Sequence, residues 1–183
     1  HAQRGIAVAM ESRICAAESR AKAIGCDISE RVYYLKRIGY NNQVLVAIQK
    51  AEEMAEAGKP IAVANYLSIA SMYAKKADKA TSLLLQDAKY IMMKSYENAV
   101  PVELEKAREL GRNGRIAAMQ TTLLTAQRYA SFVGQNIDQE VNEVTMYGYD
   151  HAIPLELEEA RTHAASGKAM RMHVSLAFAL NYA

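Results

Sequence analysis

Tryptophan is absent from this 183-residue chain, phenylalanine occurs only twice, and there are 3 prolines and 2 cysteines. So few bulky aromatics beside 32 alanines favour closely packed helices over a β-sheet. Cys15 and Cys26 share no Cys-x-x-Cys spacing and have no histidines at zinc-finger distances, which argues against a disulfide framework and a structural zinc. No charge sign dominates. Against 22 Lys and Arg stand 20 Asp and Glu, and a net charge of +2 supplies no field to gather nucleic acid, a disfavoured partner. Long hydrophobic runs are missing too: the longest uncharged stretch, Pro60 to Ala74, has 15 residues and falls short of the roughly 18 to 20 that span a bilayer, so no membrane span is expected. Residues 1 to 25 lack a basic stretch followed by an apolar core, so no signal peptide is visible and a cytoplasmic location is expected. What is present, 51% apolar and 23% charged, excludes disorder and collagen-like order.

The informative feature is an internal repeat. Gly5, Gly58, Gly114 and Gly167 lie 53, 56 and 53 residues apart. The same offsets align Met10, Val63, Met119 and Met172, then Ile14, Leu67, Leu123 and Leu176. Ala17, Ala70, Ala126 and Ala179 follow, then Ala21, Ala74, Ala130 and Ala183. Steps of 4, 3 and 4 make this one helical stripe written four times. Tyr73, Tyr129 and Tyr182 also coincide, with Arg20 in the first copy.

A second helix precedes each later glycine, through Val44, Val100 and Ile153, then Ile48, Leu104 and Leu157, then Ala51, Ala107 and Ala160. Pro101 and Pro154 stand where it should open, as a proline tolerated in a first turn would. Upstream a shorter helix is predicted through Ile28, Leu84 and Ile137, then Val32, Ala88 and Val141, then Leu35, Ile91 and Val144. It ends on the small residues Gly39, Ser95 and Gly148. Asp27 with Glu30, and Asn136 with Gln139, read as capping pairs at its start, whereas the second copy has Ala80 there and no Gly or Pro from 61 to 96, so its helices could run together. The expected organisation is all-α and a single helical-repeat domain, 1–183: a leading helix at 5–25, then three repeats of about 54 residues and three helices each at 26–78, 79–134 and 135–183. An α-solenoid buries such stripes economically, and a compact multi-helix bundle is the alternative. Leu67, Leu123, Leu176, Ile48, Leu104 and Leu157 are the expected core.

The segments Gly58 to Ala70, Gly114 to Ala126 and Gly167 to Ala179 each read as glycine, a basic residue, an apolar residue nine after the glycine and alanine three later. In this they resemble the second helix of tetratricopeptide repeats. The resemblance covers about a quarter of each unit. That family's period is 34 residues against 53 to 56 here, and its tryptophan and paired-glycine positions are not matched. What it implies is a protein-interaction scaffold.

Three groups of residues are candidates for chemistry. Lys59, Arg115 and Lys168 follow the repeat glycines at the openings of long helices, where free N–H groups and the helix dipole favour anions, so a row of them would suit an acidic peptide or a phosphate backbone. The structural alternative is a glycine cap on the preceding helix. Tyr40, Tyr96 and Tyr149 recur at the ends of the short helices, either as a ligand-facing ladder or packed under a turn with the hydroxyl on a loop carbonyl. His151, His163 and His173 gather near Met170 and Met172, but each replaces a structural position of the repeat and no pair has metal-ligand spacing, so no metal and no cofactor is expected. Paired acids such as Glu52-Glu53 and Glu158-Glu159 lie among basic residues on a polar helix face. No nucleophile motif and no phosphate loop occurs, so no enzyme is expected.

The leading expectation is therefore a non-catalytic scaffold for a protein or peptide partner. The alternative is a self-assembling structural subunit of a filament, ring or shell, and the third a nucleic-acid or acidic-ligand binder through Lys59, Arg115 and Lys168. Neither terminal stripe has a polar cap, which favours a piece of a longer array or a homo-oligomer joined through terminal helices.

Overall fold

The computed structural model describes residues 7–78 and 81–183, with side chains described for 7–78 and 87–183. Among the described residues all regular structure is helical. The elements are α1 (Ala7–Ala23), α2 (Ser29–Glu56), α3 (Pro60–Lys76), α4 (Thr81–Arg112), α5 (Ile116–Val133), α6 (Asp138–Ala165) and α7 (Ala169–Tyr182). The fold is all-α. The chain divides into two units, His1–Ser95 and Tyr96–Ala183, with α4 contributing to both. Gly5, Ala80 and the side chain of Leu84 lie outside the described residues.

The expected short and middle helices are one. Residues 29–56, 81–112 and 138–165 each run through as a single long helix, so a copy holds two helices and not three. Pro101 and Pro154 sit inside α4 and α6. An interior proline forfeits one backbone hydrogen bond and crowds the carbonyl four residues back, a cost of about 3 kcal/mol. Packing outweighs it here because the residues on both sides are anchored: in α6, Val144, Gly148 and Ala152 are buried before and just ahead of the proline and Ala160 after it. Gly39, Ser95 and Gly148, expected at a helix end, are instead buried within these long helices.

The start signals hold in altered form. The Asp27 carboxylate accepts the Ser29 N–H at 2.9 Å and the Asn136 side chain accepts the Asp138 N–H at 2.9 Å, each satisfying a first-turn donor. The reciprocal half of the expected pair is replaced at Gln139, whose amide donates to Glu143 at 3.0 Å.

In the first unit, Ala7, Met10 and Ile14 of α1 pack with Val32 and Tyr40 of α2. Val44 and Ala47 meet Ala70 and Ala74 of α3, and Ala51 and Ala55 meet Val63 and Ile91. Alanine on facing helices lets the axes approach toward the short end of the 8–10 Å range. In the second unit Ala107, Met119, Leu123 and Val144 form one cluster, and Val100, Ala126, Ala130 and Ile137 another.

Of the six expected core leucines and isoleucines, Leu123 is buried, while Leu67, Leu176, Ile48 and Leu104 are half-buried. Leu157 is a correction, at 42% exposed. Its counterpart Leu104 packs against the cluster that holds Ile137 of the following copy, whereas Leu157 joins no core cluster among the described residues.

Candidate interaction site

The two tyrosine series meet. Tyr40, Tyr96 and Tyr149 each lie 33 residues before Tyr73, Tyr129 and Tyr182. The rings pair as Tyr40 with Tyr73, centroids 5.9 Å apart, Tyr96 with Tyr129 at 5.4 Å, and Tyr149 with Tyr182 at 5.4 Å. The continuous long helix places this pair. Its buried small residue, Gly39, Ser95 or Gly148, precedes the tyrosine, and an alanine, Ala74, Ala130 or Ala183, follows Tyr73, Tyr129 and Tyr182.

The polar surroundings of the pairs differ. The Tyr40 hydroxyl donates to the Glu11 carboxylate at 2.7 Å, and the Lys76 ammonium reaches the same oxygen at 3.2 Å. Lys76 also stands 5.3 Å from the Tyr40 ring centre and 5.6 Å from that of Tyr73, within cation–π range. Burial and the hydrogen bond to Glu11 push the Tyr40 phenol up to about 12, and the donated bonds of Tyr40 and Lys76 hold Glu11 below the usual carboxylate range. Tyr149 accepts instead from the Gln120 amide at 2.9 Å. Gln120 and Glu11 are the same position of the repeat. Tyr96 packs on Phe132 at 4.8 Å, and Phe132 stands where the first copy has Lys76.

The rings of these phenols are occupied by each other. Tyr40 is buried and the other five are half-buried. The hydroxyls of Tyr40 and Tyr149 go to side chains and not to the loop carbonyls of the packed alternative.

Gly58, Gly114 and Gly167 all have positive φ, at 61°, 67° and 68°. The N–H groups of Lys59, Arg115 and Lys168 turn back to the carbonyls of Met54, Leu110 and His163 at 3.0, 2.9 and 2.9 Å. This is a Schellman cap, and it accounts for the glycine at each turn. The three cationic side chains are exposed, Lys59 in the first unit and Arg115 and Lys168 in the second.

The histidines disperse. The His151 ring lies 2.8 Å from the Tyr147 carbonyl and against the Tyr147 ring, and His173 is exposed. Among the described residues no three of His, Cys, Asp and Glu converge on a metal-sized site, and no helix is long and apolar enough to cross a membrane.

One feature had no signal in the repeat layers alone. Tyr33, Tyr34 and Leu35 are consecutive and exposed at 55%, 64% and 44%. Leu35 corresponds to the buried Ile91 and Val144, and Tyr33 stands where the later copies have Lys89 and Asn142. Compared with family models, with curated proteins and with solved structures, the chain matches none.

Proposed function

We propose that the protein is a non-catalytic helical-repeat scaffold that holds a protein or peptide partner. The observation that carries this reading is the exposed run Tyr33-Tyr34-Leu35 on α2. Three consecutive apolar side chains on a helix surface cost solubility without adding to a core, and such runs belong to contact surfaces. Tyrosine adds area at low entropic cost and a hydroxyl for the rim of a contact, as interface anchors do. The resemblance of the long helices to tetratricopeptide second helices points the same way.

The test is a photo-crosslinking side chain placed at Tyr33 in the full chain, expressed in its source cells. A discrete crosslinked protein, absent when the same group stands at the exposed Arg161, is the expected result. Equal, diffuse labelling at both positions overturns the scaffold reading.

A further inference from the structure

We propose that the seam between α6 and α7 is a clasp that acid tightens: one proton taken up by the neighbouring carboxylates Glu156 and Glu159 draws α7 more firmly onto α6.

The repeat shows what is unusual at this place. Glu156 and Glu159 correspond to Glu103 and Lys106 of the preceding copy, and to Ala47 and Lys50 of the first. On α4 the Lys106 ammonium stands 3.4 Å from the Glu103 carboxylate, opposite charges at a spacing that stabilises a helix. α6 keeps the acid and exchanges the lysine for a second acid. Like charges one turn apart repel, and no ion pair among the described residues relieves either of them. Glu158, between them, goes to Arg161 at 3.3 Å.

The two acids lie where α7 packs. Buried Ser175 of α7 hydrogen-bonds the Glu156 carboxylate, which is half-buried at the seam, while Glu159 is exposed. A cleft of about 240 Å³ between the helices sets Arg171, Val174 and Phe178 of α7 opposite Glu156, Glu159 and His163. On the other side of the same three residues, a cleft of about 590 Å³ adds Asn113 of the α4–α5 turn and Leu155. Of the side chains lining either cleft, only Arg171 and His163 carry or can gain positive charge, and neither forms an ion pair with the two acids. The Tyr182 ring, stacked on Tyr149, also faces them: its phenol is pushed up by burial and then by the Glu156 charge.

Ionised, Glu156 is partly withdrawn from water and meets the Glu159 charge without a counter-ion. Burial first, and then Glu159, push its carboxyl above the usual range, with the Ser175 bond opposing them. Protonated, the carboxyl still accepts the Ser175 hydroxyl, and both costs fall away. A group whose folded value is raised contributes stability that is complete below the unfolded value and is lost as pH rises through the folded one. α7 is therefore held most firmly in mild acid and opens more readily near neutrality.

Hydrogen exchange of the full chain, followed by mass spectrometry at about pH 7.5 and about pH 4.5 and expressed as protection so that the chemical rate cancels, reads this opening. Protection of residues 173–179 of α7, taken relative to the matching residues 120–126 of α5, should rise by about twofold or more on acidification. Glu156→Gln keeps an acceptor for Ser175 and removes the charge, so it should protect α7 alike at both pH values. Glu159→Lys restores the pairing of the preceding copy, and it should protect α7 near neutrality and reverse the response to acid. Circular dichroism checks that each variant is folded, and if Glu156→Gln unfolds the chain, Glu159→Lys decides alone.

A relative protection that stays flat or falls on acidification overturns the proposal, as does a response like the parent's in Glu156→Gln or in Glu159→Lys. His163→Gln should leave the response in place. Its loss in that variant would assign the effect to the imidazole and overturn the carboxylate pair.

Discussion

The two units solve the same packing problem with different atoms. In the second, the buried Met119 projects between Gly111 of α4 and Gly148 of α6. A Cβ on Gly111 would come within 2.7 Å of the Gly148 Cα, and one on Gly148 would collide with the Met119 sulfur. In the first unit the corresponding residues are Val63, Ala55 and Ser95, all buried. A large side chain with two glycines has been exchanged for a smaller one with alanine and serine. Interiors pack to a fixed density, so volume lost at one position returns at its neighbours, and a repeat can drift in sequence while keeping its layers.

The sharpest way to test the equivalence is to truncate the same layer in both units. Leu123 is buried and Leu67 half-buried. Leu123→Ala should cost about 2–5 kcal/mol in chemical unfolding, and Leu67→Ala distinctly less, because less area leaves water at that position on folding. A cost below about 1 kcal/mol for Leu123→Ala would put the layer in the wrong register.

Next comes the glycine pair. Alanine in a helix gains up to about 1 kcal/mol over glycine, while overpacking costs about 1–3 kcal/mol. For Gly111→Ala the obstacle includes backbone that cannot yield, so a net loss is expected that Met119→Val does not repair. For Gly148→Ala the nearest atoms are the Met119 side chain, so Met119→Val should restore most of the stability. Thermal melts of the four variants decide between these outcomes. Equal rescue of both glycine variants would mean that the backbones are free to separate.

The same exchange explains what the sequence disclosed and what it hid. The layers were legible because a burial pattern leaves a period, and Met119, Ala126 and Ala130 are buried where their stripe predicts. Helix ends were less legible. Pro101 and Pro154 read as openings because proline's local preference is for a first turn, and only the anchoring of both flanks by neighbouring helices reveals that α4 and α6 continue. The tyrosine pairing could have been found from the constant 33-residue separation, but a spacing names no contact until the long helices place both rings. The exposure of Leu35 was hidden for another reason. Periodicity marks Leu35 as apolar, but the neighbours that bury a repeat position are set in space, and they leave Leu35 44% exposed where Ile91 and Val144 are buried.

A smaller effect separates the tyrosine pairs. Tyr40 bonds a carboxylate and Tyr149 an amide, so Tyr40→Phe should cost about 1 kcal/mol and Tyr149→Phe about 0.5 kcal/mol. The Tyr40 phenol is raised to about 12 by burial and its bond to Glu11. A raised folded value means that this stabilisation is complete below pH 10 and is lost as pH climbs toward 12. Unfolding followed across that window should show an alkaline loss in the parent chain that Tyr40→Phe lacks. An identical loss in both would place the titrating group elsewhere.

The smallest expected effect lies on the acid side of the same pair. Glu11 is held below the usual carboxylate range first by the Tyr40 hydroxyl, then by Lys76. A lowered folded value favours the charged form, so the contribution is present above the unfolded carboxylate range and fades as pH falls through the folded value. The Glu11 side chain is 41% exposed, and solvent screening limits the gain to a few tenths of a kcal/mol. Glu11→Gln copies the residue that the second unit uses at Gln120. It should leave the chain slightly less stable at pH 7, with the difference fading as pH falls through the folded value of Glu11, and salt should shrink the difference at pH 7. The reverse change, Gln120→Glu, tests whether the carboxylate alone suffices. Phe132 replaces Lys76 in the copy before Tyr149, and the described partners of Tyr149, the Gln120 amide and the Tyr182 ring, include no lysine. The new carboxylate would have the Tyr149 hydroxyl without a lysine, so its acid dependence should be weaker than that of Glu11. An equal dependence would assign the effect at Glu11 to the phenol alone and leave Lys76 with its ring contacts.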